Sequence, residues 1–312
     1  MSSRMLLRLL LTDADDEETT YRRVAASKQV DAVYVSSPRS ADRRIALLQQ
    51  LGLPYLVHGR SEGLDFAYPY MDIDNEAAFR DAGRLLLQLG HKRIGLINGE
   101  TNETFAIFRE RGLSQAMAAA GLTLPASFVR SQRMTDEAGY RAARGLLEAG
   151  RPTAIVCSSL IMSLGVFRAV HDLGLRIPDD ISVIAHDDVF PWLKPENFSV
   201  PLTTTRSSIR AAGTRVAERL AARIAGRETE PFGEVWPVEL IVRGSVAAAG
   251  VPAIGAQPIR QTSPSAREDI RSMTLYLLMR SIVLAEAMAR PGAFSPPART
   301  PAPRVAGQTS QG

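Results

Sequence analysis

Short runs of β-branched and leucine-rich residues alternate with segments of helical period for about 200 residues of the chain, beginning at 6–12. The runs at 6–12, 31–36 (DAVYVS), 54–58 (PYLVH), 93–98 (RIGLIN), 153–157 (TAIVC) and 181–186 (ISVIAH) are almost continuously apolar. A strand with one wet face would alternate apolar and polar residues. Continuous runs of this length suit strands buried on both faces of a parallel sheet. Between them, 17–28 has helical period, and 76–89 places Phe79, Ala82, Leu86 and Leu89 on one face. Asn75 stands where a helix N-cap belongs and Gly90 where a C-cap belongs. Segments 135–149 and 162–173 repeat the pattern and stop at Gly150 and Gly174. This alternation predicts an α/β protein of open, doubly wound parallel sheets joined by right-handed crossovers.

The rhythm ends near residue 244, where 244–264, rich in Ala, Gly, Pro and Ser, reads as the exit from the folded body. Segment 266–290 predicts an amphipathic helix whose apolar face needs a cover, either on its own chain or in place of dimer contacts. Segment 291–312 is low-complexity Pro, Ala, Arg and Ser with no basis for a core.

The 312 residues, 45% hydrophobic and 22% charged, exclude disorder throughout and leave room for two domains. The longest apolar stretch, 273–288, is broken by Arg280 and Glu286, so no transmembrane helix and no membrane partner are expected. The N-terminal residues 1–11 run into Thr12-Asp13 without a cleavage signature, and the single cysteine, Cys157, excludes a disulfide framework. Both features point to a cytoplasmic protein. The pI of about 9.4 suggests nucleic acid, but the location of the charge argues otherwise. From Val251 onward seven arginines face three acids, which accounts for the whole net charge of +4 and leaves the first 250 residues neutral. A neutral body offers no electrostatic footprint for DNA.

No nucleophile elbow, Walker loop, HExxH, paired-cysteine motif or GxGxxG follows any predicted strand, so neither an enzyme, a metal nor a cofactor is indicated. The four histidines lack ligand spacing, and His91, beside Gly90, reads as structural. Candidate binding residues sit instead at the carboxyl ends of predicted strands, where α/β sheets place their ligands. These are Arg60, Ser158 with Ser159, and Asp187 with Asp188, and the aromatic Phe190 and Trp192 follow closely. Arginine forks and carboxylates each engage neighbouring hydroxyls of a polyol, and rings cover its apolar faces.

The chain from about residue 6 to 246 resembles the effector-binding core of the LacI/GalR family of bacterial transcription regulators. The resemblance lies in VDAVYVSSP (30–38), GLPYLVHGR (52–60), DIDNEAAFRDAGRLLLQLGHKRIGLING (72–99), RERGLSQAM (109–117), AIVCSSLIMSLGVFRAVHDLGLRIPDDISVIAHDD (154–188), PLTTTRSSIRAAGTRVAERL (201–220) and VELIVRGS (238–245), in that order. It implies a periplasmic-binding-protein-like type I fold of two doubly wound parallel-sheet lobes, with a small effector, commonly a sugar, between them. One lobe is expected from 1–99 with 206–235 and the other from 100–205 with 236–250, crossing near 99–101, 203–206 and Trp236. Carried over by position, Arg109 matches the arginine of the family's R-x-x-G helix, Asp187 the first acid of its strand-end acidic pair, and Arg60 the arginine ending its V-D-R strand. Ser207 and Ile209 fall on the returning segment. Arg109 and Asp187 are expected to face each other with their heads exposed to the cavity.

The departures are specific. Ser159-Leu160 replaces the usual Asn-Asp, and Gly59 stands where an acid is frequent. No helix-turn-helix or hinge helix is legible, and 6–12 matches the family's second strand, so the core reads as N-terminally shortened. Loss of the first strand would leave a gap of about 4.8 Å between its neighbours. The expected protein is a non-enzymatic sugar-sensing regulator core, a homodimer whose effector is a mono- or disaccharide. Operator DNA is a partner only for a form carrying a helix-turn-helix. The alternatives are a stand-alone or exported small-molecule (sugar) binding protein, or a doubly wound enzyme whose catalytic pair is not apparent.

Overall fold

A computed structural model describes residues 17–28, 30–187 and 189–250. The expectations for 6–12, 266–290 and 291–312 lie outside these residues. In chain order the elements are α1 (Glu17–Ser27), β1 (Val33–Ser36), α2 (Arg43–Leu51), β2 (Tyr55–His58), β3 (Tyr70–Ile73), α3 (Asn75–Gln88), β4 (Ile94–Asn98), α4 (Thr104–Ala119), β5 (Val129–Ser131), α5 (Asp136–Ala149), β6 (Ala154–Cys157), α6 (Leu160–Asp172), β7 (Ser182–Asp187), β8 (Thr203–Arg206), α7 (Ile209–Ile224), β9 (Gly233–Trp236) and β10 (Glu239–Ile241).

The strands form two sheets, β1-β2-β3-β9 and β10-β8-β7-β6-β4-β5. Every pairing is parallel except that of β10 with β8. The continuous apolar runs at β4, β6 and β7 are the central strands of the larger sheet and are buried along their whole length. On one face of that sheet, Leu146, Val166 and Val170 join Ile155 and Val183 in a core. On the other, Phe79, Ala82, Leu86 and Leu113 join Ile94, Leu96, Val156 and Ile184. The smaller sheet is covered by α7, through Val216 and Leu220 against Leu56 and Met71, and on its opposite face by Ile45 and Leu48 of α2.

Local sequence sets the helix ends. Thr135 and Ser159 accept from the backbone N–H groups of Ala138 and Met162 and start α5 and α6. Gly90 and Gly174 follow α3 and α6 in the left-handed region at φ +86° and +69°. The N-cap of α3 is Asp74, whose carboxylate accepts from Ala77 N, and not Asn75 as the pattern suggested. Asn75 is therefore the first helical residue, and its side chain is free for other work. Gly112 lies so close to the Glu76 carbonyl that a β-carbon there would overlap it, which lets α4 pack directly on α3.

One expectation about the layout is corrected. The chain changes sheets between β3 and α3, not at 99–101, because the apolar face of α3 belongs to the core of the larger sheet and β4 pairs within that sheet. It returns between β8 and α7 and crosses again between β9 and β10. The anticipated gap would border segment 6–12 and so lies outside the described residues; β1, β2, β3 and β9 pair contiguously, and β1 is the edge strand among the described residues.

Candidate functional site

A cleft of about 820 Å³, solvent-open space included, lies at the carboxyl ends of the smaller sheet's strands. Ser36 ends β1 with Ser37 and Pro38 after it, His58 ends β2 with Gly59 and Arg60 after it, and Asp72 and Ile73 end β3. The facing wall comes from Asn75, from Thr104, Phe105 and Arg109 of α4, and from Ser207, Ser208, Ile209 and Ala212 where the chain re-enters the smaller sheet's layer. Parallel strands bring their loops to one edge, which concentrates these polar groups.

The cleft's electrostatics centre on a buried relay. Arg60 Nε donates to Asp72 Oδ2 at 2.9 Å, and Asp72 Oδ1 accepts from Ile73 N at 2.8 Å and from Asn75 Nδ2 at 3.4 Å. Asn75 Oδ1 accepts from Arg109 Nε at 2.8 Å, and Arg109 Nη1 donates to the Ser158 carbonyl at 2.7 Å. The relay thus runs from the end of β2 in the smaller sheet to the loop after β6 in the larger one. Burial pushes the Asp72 carboxyl above the ordinary carboxylate range, and the Arg60 guanidinium pulls against that shift. Arg109 is 3% exposed, and its guanidinium lies 4.8 Å from the Phe105 ring centre and 5.2 Å from that of Phe79. Two further pairs orient rim groups. The Tyr34 hydroxyl meets His58 Nδ1 at 2.9 Å, and the buried His186 bridges Thr205 Oγ1 at 3.0 Å and Ser207 Oγ at 3.2 Å.

Of the residues proposed from sequence, Arg60, Arg109, Ser207 and Ile209 line this cleft together. Ser159, Asp187, Phe190 and Trp192 do not. The Ser159 hydroxyl is consumed as the α6 cap, and Phe190 is buried in the larger sheet's core with the half-exposed Trp192 stacked on it at 5.3 Å. Asp187 does not present its head to the cavity opposite Arg109. Its carboxylate accepts from Val189 N at 2.7 Å, holding that residue at φ +60°, and lies 3.7 Å from Arg206 Nε. Its carbonyl accepts from Ser207 N at 3.0 Å and so ties it to the cleft wall.

Sequence reasoning missed Asp72, Asn75, Tyr34, His58 and Phe105. Asp72 sits in a four-residue strand too short to stand out, and Asn75 looked like a cap. The structure also accounts for Gly59: at φ +112°, a β-carbon there would lie 2.7 Å from Pro38 Cδ, so a side chain has no room. Among the described residues no cluster of His, Cys, Asp and Glu could hold a metal.

Two parallel-dominated α/β layers with three chain crossings and a polar cleft between them define an effector-binding core of the periplasmic-binding-protein type. The family described as periplasmic binding protein-like domain matches residues 84–246. The chain is 52% identical over 251 residues to the HTH-type transcriptional regulator AglR of Rhizobium meliloti (strain 1021), covering 80% of this chain and 69% of that protein. It is 32% identical over 222 residues to the HTH-type transcriptional regulator CelR of Thermobifida fusca, covering 70% and 64%. Among solved structures, a transcriptional regulator CelR–cellobiose complex matches with a TM-score of 0.68 at 30% identity, over 75% of this chain and 71% of that one. A regulatory protein of the LacI family from Chloroflexus aggregans matches with a TM-score of 0.66 at 29% identity, over 76% and 84%. The protein belongs to the LacI family of transcriptional regulators and carries that family's effector-binding core. It spans about two thirds of the length of these curated relatives.

Proposed function

We propose that this chain is the sugar-sensing part of a LacI-family regulator and acts by binding, without catalysis, a mono- or disaccharide in the cleft between its two sheets. The observation that carries this reading is the relay Arg60–Asp72–Asn75–Arg109, which lines the cleft and ties the end of β2 to the loop after β6. Its donors, with the serine hydroxyls at 36, 37 and 207, suit vicinal hydroxyls of a pyranose, and Phe105 offers a ring to an apolar sugar face. The cellobiose complex of the related CelR protein favours the same class of ligand.

Arg60, Arg109, Ser207 and Ile209 are the proposed contacts, joined by Asn75 and His58. Asp187 and Ser159 act from behind the wall, holding the 187–189 turn and the start of α6. A ligand touching both layers favours one relative arrangement of them over another, which is the free-energy coupling a regulator needs. Homodimerisation and operator binding are proposed for the form that carries a helix-turn-helix. No helix of the described residues is long and apolar enough to cross a membrane, in keeping with a cytoplasmic regulator.

The test is calorimetric titration of the 312-residue chain with a panel of mono- and disaccharides, repeated on Arg109→Lys. At least one sugar should bind, and more than about tenfold more weakly to the variant, because a point-charge ammonium cannot reproduce the fork that reaches Asn75 and Ser158. Absence of binding by every sugar, or an affinity unaffected by Arg109→Lys, would overturn the reading.

A further inference from the structure

Arg60 is a wall shared by two cavities. Beyond it lies a second chamber of about 780 Å³, solvent-open space included, lined by Arg60, Ser61, Glu62 and Ala67 together with the rings of Phe66, Tyr68, Tyr70, Phe108 and Phe232. Its chemistry differs from that of the cleft: the cleft presents hydroxyls, an amide and guanidinium groups, and the chamber presents ring faces above a charged rim. The Tyr68 hydroxyl is already engaged with the backbone of Ser61 at 2.7 and 2.9 Å, so this tyrosine offers its ring, not its oxygen. Tyr68 and Tyr70 pack at 5.5 Å between ring centres, and Phe66 meets Tyr68 edge-on at 6.4 Å. The guanidinium groups of Arg60 and Arg111 lie 4.8 and 5.3 Å from the Phe108 ring centre. Arg111 in turn holds Glu62 at the rim through bonds of 2.8 and 2.9 Å. Phe66, Tyr70 and Phe232 remain half-buried, with surface still to cover.

The chamber is built and held. Ser61 Oγ donates to the Arg39 carbonyl at 2.6 Å and accepts from Asp42 N at 3.2 Å, and the Glu62 carbonyl accepts from Ala41 N at 2.6 Å, fixing the loop that carries Phe66 and Tyr68. Gly233 lets the Tyr70 ring lie against β9, since a β-carbon there would fall 2.5–2.8 Å from that ring.

We propose that the chamber is a second sugar subsite and that the effector is at least a disaccharide. This rests on the sugar reading of the cleft. One ring sits among the polar groups of the cleft, the glycosidic link passes Arg60, and the next ring lays an apolar C–H face on Phe66, Tyr70 and Phe232 while Glu62 and Arg111 meet its hydroxyls. Half-buried rings beside charged rim groups suit a pyranose, which is apolar on its faces and polar at its edge, although the Phe232 ring already has the Arg219 guanidinium at 4.3 Å on one side.

The test titrates the 312-residue chain with glucose, galactose and a set of their disaccharides, in wild type, Phe66→Ala and Phe66→Leu, with melting temperatures measured alongside. Phe66→Leu keeps apolar volume but removes the ring, so it serves where the alanine variant fails to fold. The expected result is a disaccharide bound about tenfold or more tightly than its component monosaccharides. Both variants should remove most of that advantage and leave monosaccharide affinity within about twofold, since the first ring does not touch Phe66. Equal affinity for mono- and disaccharides overturns the proposal while the sugar reading stands, as does a disaccharide advantage indifferent to Phe66 or a Phe66 change that weakens both alike. An aryl glucoside binding more tightly than every disaccharide reassigns the chamber to aromatic groups and also overturns it. Binding of no sugar at all takes the sugar reading down with it.

Discussion

Replacing Asn75 with leucine tests whether the buried relay holds the cleft together. Asn75 is 3% exposed, and leucine has the same number and branching of side-chain heavy atoms with somewhat more bulk, so the exchange leaves no cavity and acts mainly through hydrogen bonding, with a smaller overpacking term. The main loss is the acceptor for Arg109 Nε at 2.8 Å, which leaves a charged, buried donor without that partner. Such a group costs about 1.5–3 kcal/mol. The bonds from Asn75 Nδ2 to Asp72 and Ile73, at 3.4 and 3.3 Å, are long and add less than about 1 kcal/mol. The expected destabilisation is about 2–3 kcal/mol, seen as a lower urea midpoint at constant slope and a melting temperature lower by roughly 4–12 °C. Arg109→Met removes the other partner, so a double-mutant cycle isolates the bond, and the double variant should be less destabilised than the sum by about 1 kcal/mol or more. Asn75→Leu within about 0.5 kcal/mol of wild type, or strict additivity with Arg109→Met, would refute the claim that this bond supports the site.

Gly112→Ala should lower stability by more than about 3 kcal/mol in urea unfolding, because the new methyl overlaps the Glu76 carbonyl and must drive α4 away from α3; a variant as stable as wild type would show that the helices shift freely. His91 is buried between Thr153, Ser182 and the Ala247 carbonyl, and burial lowers its pKa below 6.5. The unfolded chain therefore takes up the proton first, and the stability His91 contributes is present above about pH 6.5 and lost as the pH falls further. His91→Gln should flatten the slope of unfolding free energy between about pH 6.5 and 5, and an unchanged slope would rule His91 out as its source. The Cys157 thiol is fully buried and pushed up to about 11 by that burial, so iodoacetamide at pH 7.5 should label it at least ~100-fold faster in denaturant than in the native protein; comparable rates would contradict its placement in β6.

Much of the fold was legible because burial leaves a one-dimensional trace. The central strands β4, β6 and β7 are continuously apolar since both of their faces meet helices, and α3, α5 and α6 keep their apolar stripes for the same reason. Strands of three or four residues, such as β3, β5, β9 and β10, carry too few positions to establish a period. The site divided along the same line. Arg60, Arg109, Ser207 and Ile209 were found through their place in recognisable segments, and Asp72 and Asn75 were not, because their role depends on partners that are remote or disguised as a turn.

The α/β class, the alternation of apolar strands with the amphipathic helices α3, α5 and α6, and the helix stops at Gly90 and Gly174 were determined by sequence alone, through local backbone preference and the period of apolar residues. Which sheet each element joins was a tertiary decision: β4 follows α3 into the larger sheet because Phe79, Ala82 and Leu86 bury against Ile94 and Leu96. The use of each polar side chain was decided in the same way. Asp187 and Ser159 are spent on a turn and a helix start, whereas Asn75 joins Arg109 across 34 positions of sequence. A polar group binds whichever partner the packed backbone brings within about 3 Å, and no local pattern records that distance.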